Sequence, residues 1–369
     1  MPSHETSVSR SVVILQDRLR IGGTERQSVW LAEALGQRAW DYQLRLLLPE
    51  SVERSEGGAL AGIREFVSIL GSFMSLLREL RASRPDVMIC MGRVANSVGF
   101  LAKCFLPGLK LVTTCRTNRA LPYFYRFSVR QSELCIANSS WAATEVAKAV
   151  GLPTARIVHI ENALLRPQLF DLDLSPEAKA TARSGLGLDL NGPVLCNISS
   201  FVPGKNKHDL LDAFARCKLG STAVLLLVGE GSERDRCKQR AKDLGISAQV
   251  RFLGKTDSIE PILQASDLFV STSLRDSLPN ALIEAQAAGL PVVAYDVAGA
   301  SEAFDQERSG LAVRSGEVDA FSRAIERLIS SPQLRCDFGA HGRARAQKLY
   351  SPKIIGARYD AALSQLFGE

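Results

Sequence analysis

Short apolar runs separated by helical segments recur along the whole chain, and this alternation limits the possible folds more than any other feature. Ser11 to Leu15 (SVVIL) and residues 44–48, 85–90, 110–115, 134–138 and 157–160 form one series. Such runs suit strands of a parallel sheet, which are buried on both faces and therefore hydrophobic almost throughout. The same rhythm resumes at 194–198, 223–228, 249–253, 268–271, 292–297 and 311–313. Strands alternating with helices predict two open, mostly parallel α/β domains, and 369 residues leave room for two domains of ordinary size. Between the two series, residues 166–192 change character, with Pro167, Asp171, Asp173, Pro176 and a Gly-Leu-Gly-Leu segment. They predict a linker with one short helix. Residues 51–64, rich in Gly, Ser and Glu, predict a loop before a helix over 74–83.

Residues 271–297, STSLRDSLPNALIEAQAAGLPVVAYDV, carry the strongest functional signal. They read as a strand end, a polar loop, a short helix, a Gly-Leu-Pro stop and another strand. Ser277 is placed to cap the helix, with Pro279 in its first turn. Gly289 and Pro291 end it. Ala281, Leu282, Ile283, Ala285, Ala287 and Ala288 make it small or apolar on nearly every face, so it is packed on several sides. Glu284 stands in its middle. A carboxylate there either meets a structural arginine or backbone group, or faces a crevice and holds ligand hydroxyls. Asp276 lies in the loop at the helix mouth, and the first-turn N–H groups near Leu278, Pro279, Asn280 and Ala281 present a positive dipole end to an anion.

Other candidates follow from strand-to-helix turns. Gly22-Gly23-Thr24 follows the first strand and opens an amphipathic helix, a layout that brings backbone N–H groups near a phosphate but also simply permits a tight turn. Ser200 and Lys205 lie in the loop after the strand at 194–198, where the plain reading of Lys205 is an exposed loop lysine. Gly229-Glu230-Gly231 follows a strand, but Arg234 stands where a dinucleotide fingerprint needs its third glycine, which counts against NAD. Four scattered histidines and eight cysteines with no CxxC pair give no metal motif, and the cysteines read as buried free thiols.

Asp276-x7-Glu284 followed by EAQAAGLPVVAYDVAGASE resembles the acidic signature of the retaining GT-B glycosyltransferases of family 4, where two glutamates stand in this spacing. The resemblance covers nearly the whole chain. It implies the GT-B fold, α/β with two Rossmann-like domains facing across a cleft. The acceptor domain would be 1–170 and the linker with the donor domain 171–351. A crossover helix at 352–367 would pack back on the first domain. It implies that Glu284 binds the ribose of a nucleoside diphosphate sugar, that Asp276 contacts the sugar, and that Lys205 meets the diphosphate. Gly22 and Gly23 would lie over the donor phosphates, Gly254 and Lys255 against the base, and Arg116, at a strand end, near the sugar. Two positions depart from the pattern. The first acid is Asp276 rather than Glu, and the second diphosphate cation, an Arg, falls on Ser200. Lys207, Arg275 or a first-domain arginine could replace it.

The implied reaction is sugar transfer with retention, without a metal or other cofactor, from a UDP-sugar more readily than a GDP-sugar. The implied acceptor is a glycan or lipid-linked molecule in cell-surface polysaccharide or glycolipid synthesis. Two other readings stay open: a catalytically degenerate nucleotide-sugar binding protein, and a sugar-nucleotide epimerase. The net charge of +6 is concentrated early. Residues 1–170 hold 21 Lys and Arg against 14 Asp and Glu, while the remainder holds 24 against 25. This basic half is either a solvated face or a surface for an anionic membrane. No reader motif points to nucleic acid. Residues 1–10 are polar and no apolar run approaches a membrane span, so a cytoplasmic protein, peripheral at the inner membrane face, is the expectation.

Overall fold

All strand pairings are parallel, so every connection between neighbours must cross a face of the sheet. The computed structural model describes residues 10–17, 23–38, 40–47, 59–116 and 120–368. The chain divides into two compact units, residues 1–165 with 352–369, and residues 166–351. The first sheet contains β1 (Ser11–Gln16), β2 (Asp41–Leu46), β3 (Val87–Met91), β4 (Lys110–Cys115), β5 (Leu134–Ala137) and β6 (Ile157–His159), in the order β2-β1-β3-β4-β5-β6. Its helices are α1 (Gly23–Gly36), α2 (Ala59–Ser83), α3 (Arg93–Phe105), α4 (Tyr123–Gln131) and α5 (Ser140–Val150). The expected loop over 51–64 is therefore corrected: helix α2 already runs from Ala59. Its apolar residues recur at helical spacing, which outweighs Gly62 and Gly71 within it.

Strand alternation sorts this unit's core into two layers. Val12 and Ile14 pack with Leu31 and Leu35 of α1 on one face. Val13 and Leu15 pack with Leu76, Leu77 and Leu80 of α2 on the other.

The second unit begins with α6 (Pro176–Gly185), followed by β7 (Val194–Ile198), α7 (Lys207–Arg216), β8 (Val224–Val228), α8 (Arg234–Asp243), β9 (Val250–Gly254) and α9 (Glu260–Ala265). It continues with β10 (Leu268–Ser271), α10 (Asn280–Ala287), β11 (Val292–Asp296), β12 (Gly310–Arg314), α11 (Val318–Ser330) and α12 (Pro332–Tyr350). The sheet order is β12-β11-β10-β7-β8-β9. Chain order thus runs outward from β7 in one direction and from β10 in the other. The strand order reverses between these two, the point where open α/β sheets hold ligands beyond their C-terminal strand ends.

The last helix, α13 (Pro352–Ser364), returns to the first unit. Ile355, Tyr359 and Leu363 complete the α1 core layer, and Trp40 Nε1 donates to Asp360 at 2.8 Å.

Residues 166–192 are more than a linker, since α6 is strapped to the second sheet. Ser175 caps it through the Ala178 N–H. Asp267, just before β10, accepts from Lys179 at 3.0 Å, from Arg183 at 2.6 Å and from the Val194 N–H at 2.9 Å. Burial alone would raise the Asp267 pKa; Lys179, the Val194 N–H and Arg183 outweigh it and hold the carboxyl below its usual range. Arg183 spends its other N–H groups on the carbonyls of Ala265, Leu190 and Gly192.

The cysteines are all free. Cys90, Cys115, Cys135, Cys196 and Cys237 are buried as expected, whereas Cys104 and Cys336 are exposed, which corrects the reading of all eight as buried.

Removing the Asp267 carboxylate leaves the Arg183 guanidinium buried without its charge partner. Asp267→Ala is expected to lower unfolding stability by about 3–5 kcal/mol in a urea titration. Because the folded pKa is depressed, the wild-type contribution is present above the ordinary Asp range and fades as pH falls through the folded value. An unchanged urea midpoint at neutral pH would refute the strap.

Candidate active site

Two loops leave the switch point of the second sheet on diverging courses, one from β7 and one from β10. The loop after β7 runs Ser199 to Asn206 and ends in a tight turn, Pro203–Lys205, before α7. The loop after β10 runs from Thr272 to Pro279. Backbone and hydroxyl bonds tie them together: Leu274 N donates to Gly204 O at 2.9 Å, Ser273 Oγ to the same carbonyl at 3.3 Å, and Thr272 Oγ1 to Asn206 O at 2.8 Å. This lacing brings Lys205 onto Asp276. Lys205 Nζ lies 2.6 and 2.9 Å from the two carboxylate oxygens, with both side chains more than three-quarters buried. Sequence proposed both residues for one site, but their pairing with each other is visible only in the fold.

Helix α10 begins at Asn280, not at Ser277. Pro279 is its N-cap in extended conformation, with no side-chain capping bond, so the expected Ser277 cap and first-turn Pro279 are corrected. The Pro279 carbonyl accepts from Leu282 and Ile283. Pro279 sits outside the first turn because Ser277 and Leu278 are buried in the loop that brings Asp276 to Lys205. The N–H groups of Asn280 and Ala281 lie before the first N–H that donates within the helix, that of Leu282. Glu284 is one turn further on, on the face of Asn280, and half-buried. The rest of α10 is packed, with Leu282, Ile283, Ala285, Gln286 and Ala287 buried. Gly339 and Gly342 of α12 allow that close approach, since a Cβ on Gly339 would lie 2.1 Å from the Gly289 carbonyl oxygen.

The glycines of Gly229-Glu230-Gly231 have a role that sequence reasoning missed. They let the turn after β8 pass against the loop carrying Ser200. A Cβ on Gly229 would lie 2.2 Å from Ser199 O, and one on Gly231 would lie 2.3 Å from Phe201 O. Ser199 N donates to Val228 O, Phe201 N to Glu230 O and Glu233 N to Phe201 O, at 2.8–3.0 Å. Gly254 ends β9 in a left-handed conformation and accepts from Gly229 N at 2.7 Å, and Lys255 beside it is exposed.

Ser200 is exposed and brings no charge to the loop. Of the replacement cations considered, Arg275 is exposed, whereas Lys207 is buried. Lys207 Nζ donates to Asn197 Oδ1 and, at 2.7 Å, to Ser199 Oγ, and lies 4.5 Å from the Phe201 ring centre.

Arg116, Gly22 and Gly23 belong to the first unit. Gly22 lies outside the described residues, and Gly23 starts α1. Arg116 follows β4 and donates to Asn162 Oδ1 and, at 3.3 Å, to Tyr359 of α13. It is thus tied to the residue pair that closes its own unit. At the same sheet's reversal point, between β1 and β3, Asp17 accepts from the Val94 and Ala95 N–H groups that open α3. Gln27 of α1 makes a buried two-way amide link with Ala163.

Comparison with known proteins fits this geometry. The "Glycosyltransferase Family 4" description matches residues 21–164 and "Glycosyl transferases group 1" matches residues 178–345. The chain is 31% identical to the lipopolysaccharide core biosynthesis glycosyltransferase LpsD of Rhizobium meliloti, over 92% of this chain and 94% of that one. The chain belongs to glycosyltransferase family 4. LpsE of the same organism is 28% identical over the same shares of both chains. The family 4 chain is therefore an enzyme that transfers a glycosyl group. Its GT-B fold is shared with Anabaena HepE, solved with UDP-glucose, at a TM-score of 0.78 and 23% identity, over 96% of this chain and 99% of that one.

Gly229→Ala tests the loop cradle. A side chain there must take an unfavourable φ and push the Ser199 carbonyl aside, at an expected cost of about 1–3 kcal/mol. A calorimetric melting temperature equal to wild type would show that the turn does not support the loop.

Proposed function

We propose that this enzyme moves a hexose-type sugar, with retention, from a nucleoside diphosphate sugar to a glycan or lipid-linked acceptor. The observation that carries the reading is the Lys205–Asp276 pair at the mouth of α10, with Glu284 one turn inside. In this arrangement a diphosphate is received by Lys205 and the first N–H groups of α10, where the helix dipole favours negative charge. Glu284 accepts from the ribose hydroxyls. Asp276 orients the sugar and meets the positive charge that grows on its anomeric carbon. Gly254 and Lys255 border the base. The barrier is mostly separation of charge, and preorganised cations and dipoles act on that directly. The proton of the acceptor hydroxyl passes to an oxygen of the departing diphosphate, so no separate base is assigned. The reading includes no metal, and activity is expected to survive EDTA.

UDP is favoured over GDP because HepE was solved with UDP and UDP-glucose. An acceptor from lipopolysaccharide core synthesis is favoured by the names of LpsE and LpsD. The donor reading is tested by thermal stabilisation with UDP, GDP and their sugars. UDP is expected to raise the melting temperature of wild type, and Glu284→Ala to abolish most of the shift. Lys205→Ala is expected to cut turnover by about 10²–10³-fold, the scale of losing one group that stabilises developing charge. Binding without turnover on any acceptor would instead favour the degenerate-binder reading, which the uncharged Ser200 motivates. Isomerised donor without acceptor would favour the epimerase.

The first unit also fits an anionic bilayer surface at the inner membrane face. Among the described residues no helix is long and apolar enough to cross a membrane. Helix α4 exposes Tyr123 and Phe124, at 73% and 59%. Phe124 stacks on Phe100 of α3, and Phe127 meets Phe100 edge-on at 4.8 Å. Lys103, Arg126 and Arg130 lie on these same two helices. Aromatic rings beside basic groups match the chemistry of an anionic lipid interface. Wild type is expected to sediment with phosphatidylglycerol vesicles and not with phosphatidylcholine vesicles. The double variant Tyr123→Ser, Phe124→Ser is expected to stay in the supernatant. Equal behaviour of wild type and variant would remove this surface from the account.

A further inference from the structure

Lys207 breaks three ordinary rules at once. It is the first residue of α7, where the helix dipole already places positive charge. It is only 3% exposed, although lysine is almost never fully buried without a partner. Among the described residues no carboxylate pairs with it: its hydrogen-bond acceptors are the neutral oxygens of Asn197 and Ser199. The residue before it, Asn206, is held at φ 44°, a left-handed conformation that asparagine adopts more readily than other non-glycine residues. Local rules are broken in this way where function compensates.

The groups around the ammonium define what could compensate. Asn197 comes from the end of β7, Ser199 and Phe201 from the loop above, and Cys237 from α8. Glu233, at the start of α8, faces His208 and Arg236. Burial pushes the Lys207 pKa down; a Cys237 thiolate would raise it, and the Lys205 charge lowers it, to about 7. Burial also raises the Cys237 thiol to about 11, so at neutral pH it is uncharged and gives Lys207 no support. Anionic chemistry fits this surplus of positive charge. Lys205 is partly neutralised by Asp276, and Ser200 supplies nothing.

We propose that Lys207 is a positioning cation of the donor site: its ammonium ties Asn197 and Ser199 under the loop that carries Ser200 and Lys205, and a nucleoside diphosphate bound at that loop draws a proton onto it. The inference rests on the donor reading above and extends it. Asn197 Nδ2 also donates to Val270 O at 2.7 Å, and Ser199 Oγ to Asn197 Oδ1 at 2.9 Å. The ammonium therefore closes a network that joins β7, β10 and the lysine loop at the strand reversal. A diphosphate above Lys205 offsets the repulsion between the two lysines and favours the charged form of the buried one. Positive potential from beneath the loop takes the place of the charge absent at Ser200.

The test is isothermal calorimetry of UDP binding at about pH 8, where a phosphate's second ionisation near pH 6 is complete and contributes no proton. Buffers of different ionisation enthalpy give the number of protons exchanged. Wild type is expected to take up a fraction of one proton per UDP bound. Lys207→Met is expected to bind at least about tenfold more weakly, a loss of about 1.4 kcal/mol, with no uptake. Lys207→Arg, always charged, is expected to bind with no uptake and with an affinity flat across the alkaline range. His208→Gln, which removes the neighbouring titratable ring, is expected to keep the uptake. Uptake absent from wild type, or unchanged in Lys207→Met or Lys207→Arg, overturns the proposal while leaving the donor site standing. Failure of folded wild type to bind either UDP or GDP overturns both.

Discussion

The parallel pairing of β7 with β10 is the constraint on which the second unit depends. Leu268 and Phe269 register against Leu195 and Cys196, although more than seventy residues separate the strands. From this seam the chain winds outward both ways, so the loops leaving the two strands emerge side by side. Asp267 fixes the seam at its lower end by gathering the Val194 N–H, Lys179 and Arg183. Hydrogen bonds from Thr272, Ser273 and Leu274 to Gly204 and Asn206 fix it at its upper end. Lys205 and Asp276 meet because both ends are pinned.

Electrostatics at this seam is uneven by construction. One lysine is paired with a carboxylate, and a second is buried among neutral oxygens and an aromatic ring. The nearest helices contribute positive ends rather than negative ones. The proposed donor site places an anion at these positive ends, where it offsets the repulsion between the two lysines. Elsewhere in the unit, Asp305 has its charge partners at hand. Burial would raise the Asp305 pKa, but the His341 hydrogen bond and Arg345 outweigh it and keep the carboxyl below its usual range. Lys207 has no such carboxylate among the described residues, and donates to Asn197 and Ser199 instead.

Much of this was legible in the chain. The apolar runs gave the strands because both faces of a parallel sheet are covered, and the small, apolar helix ending at Gly289 and Pro291 announced a packed α10. Gly289 does adopt the left-handed conformation a helix terminus uses, and Leu290 N closes on Ala285 O. Other features were hidden. The glycines of the β8 turn looked like an incomplete dinucleotide fingerprint, whereas their contact partners, Ser199 and Phe201, lie some thirty residues earlier. Helix α2 was obscured because Gly and Ser count against a helix only weakly when apolar residues recur at helical spacing.

Sequence by itself determined the strand and helix alternation, the family, and the identities of Lys205, Asp276 and Glu284, because periodicity and spacing are local properties of the chain. Tertiary structure decided which of those groups meet. It placed Lys205 on Asp276, turned Lys207 inward against Asn197, and tied Arg116 to Asn162 and Tyr359. The physical reason is that an ion pair or a buried ammonium depends on distance and solvent exclusion. Both are set by strand order in the sheet, and no run of residues encodes them alone.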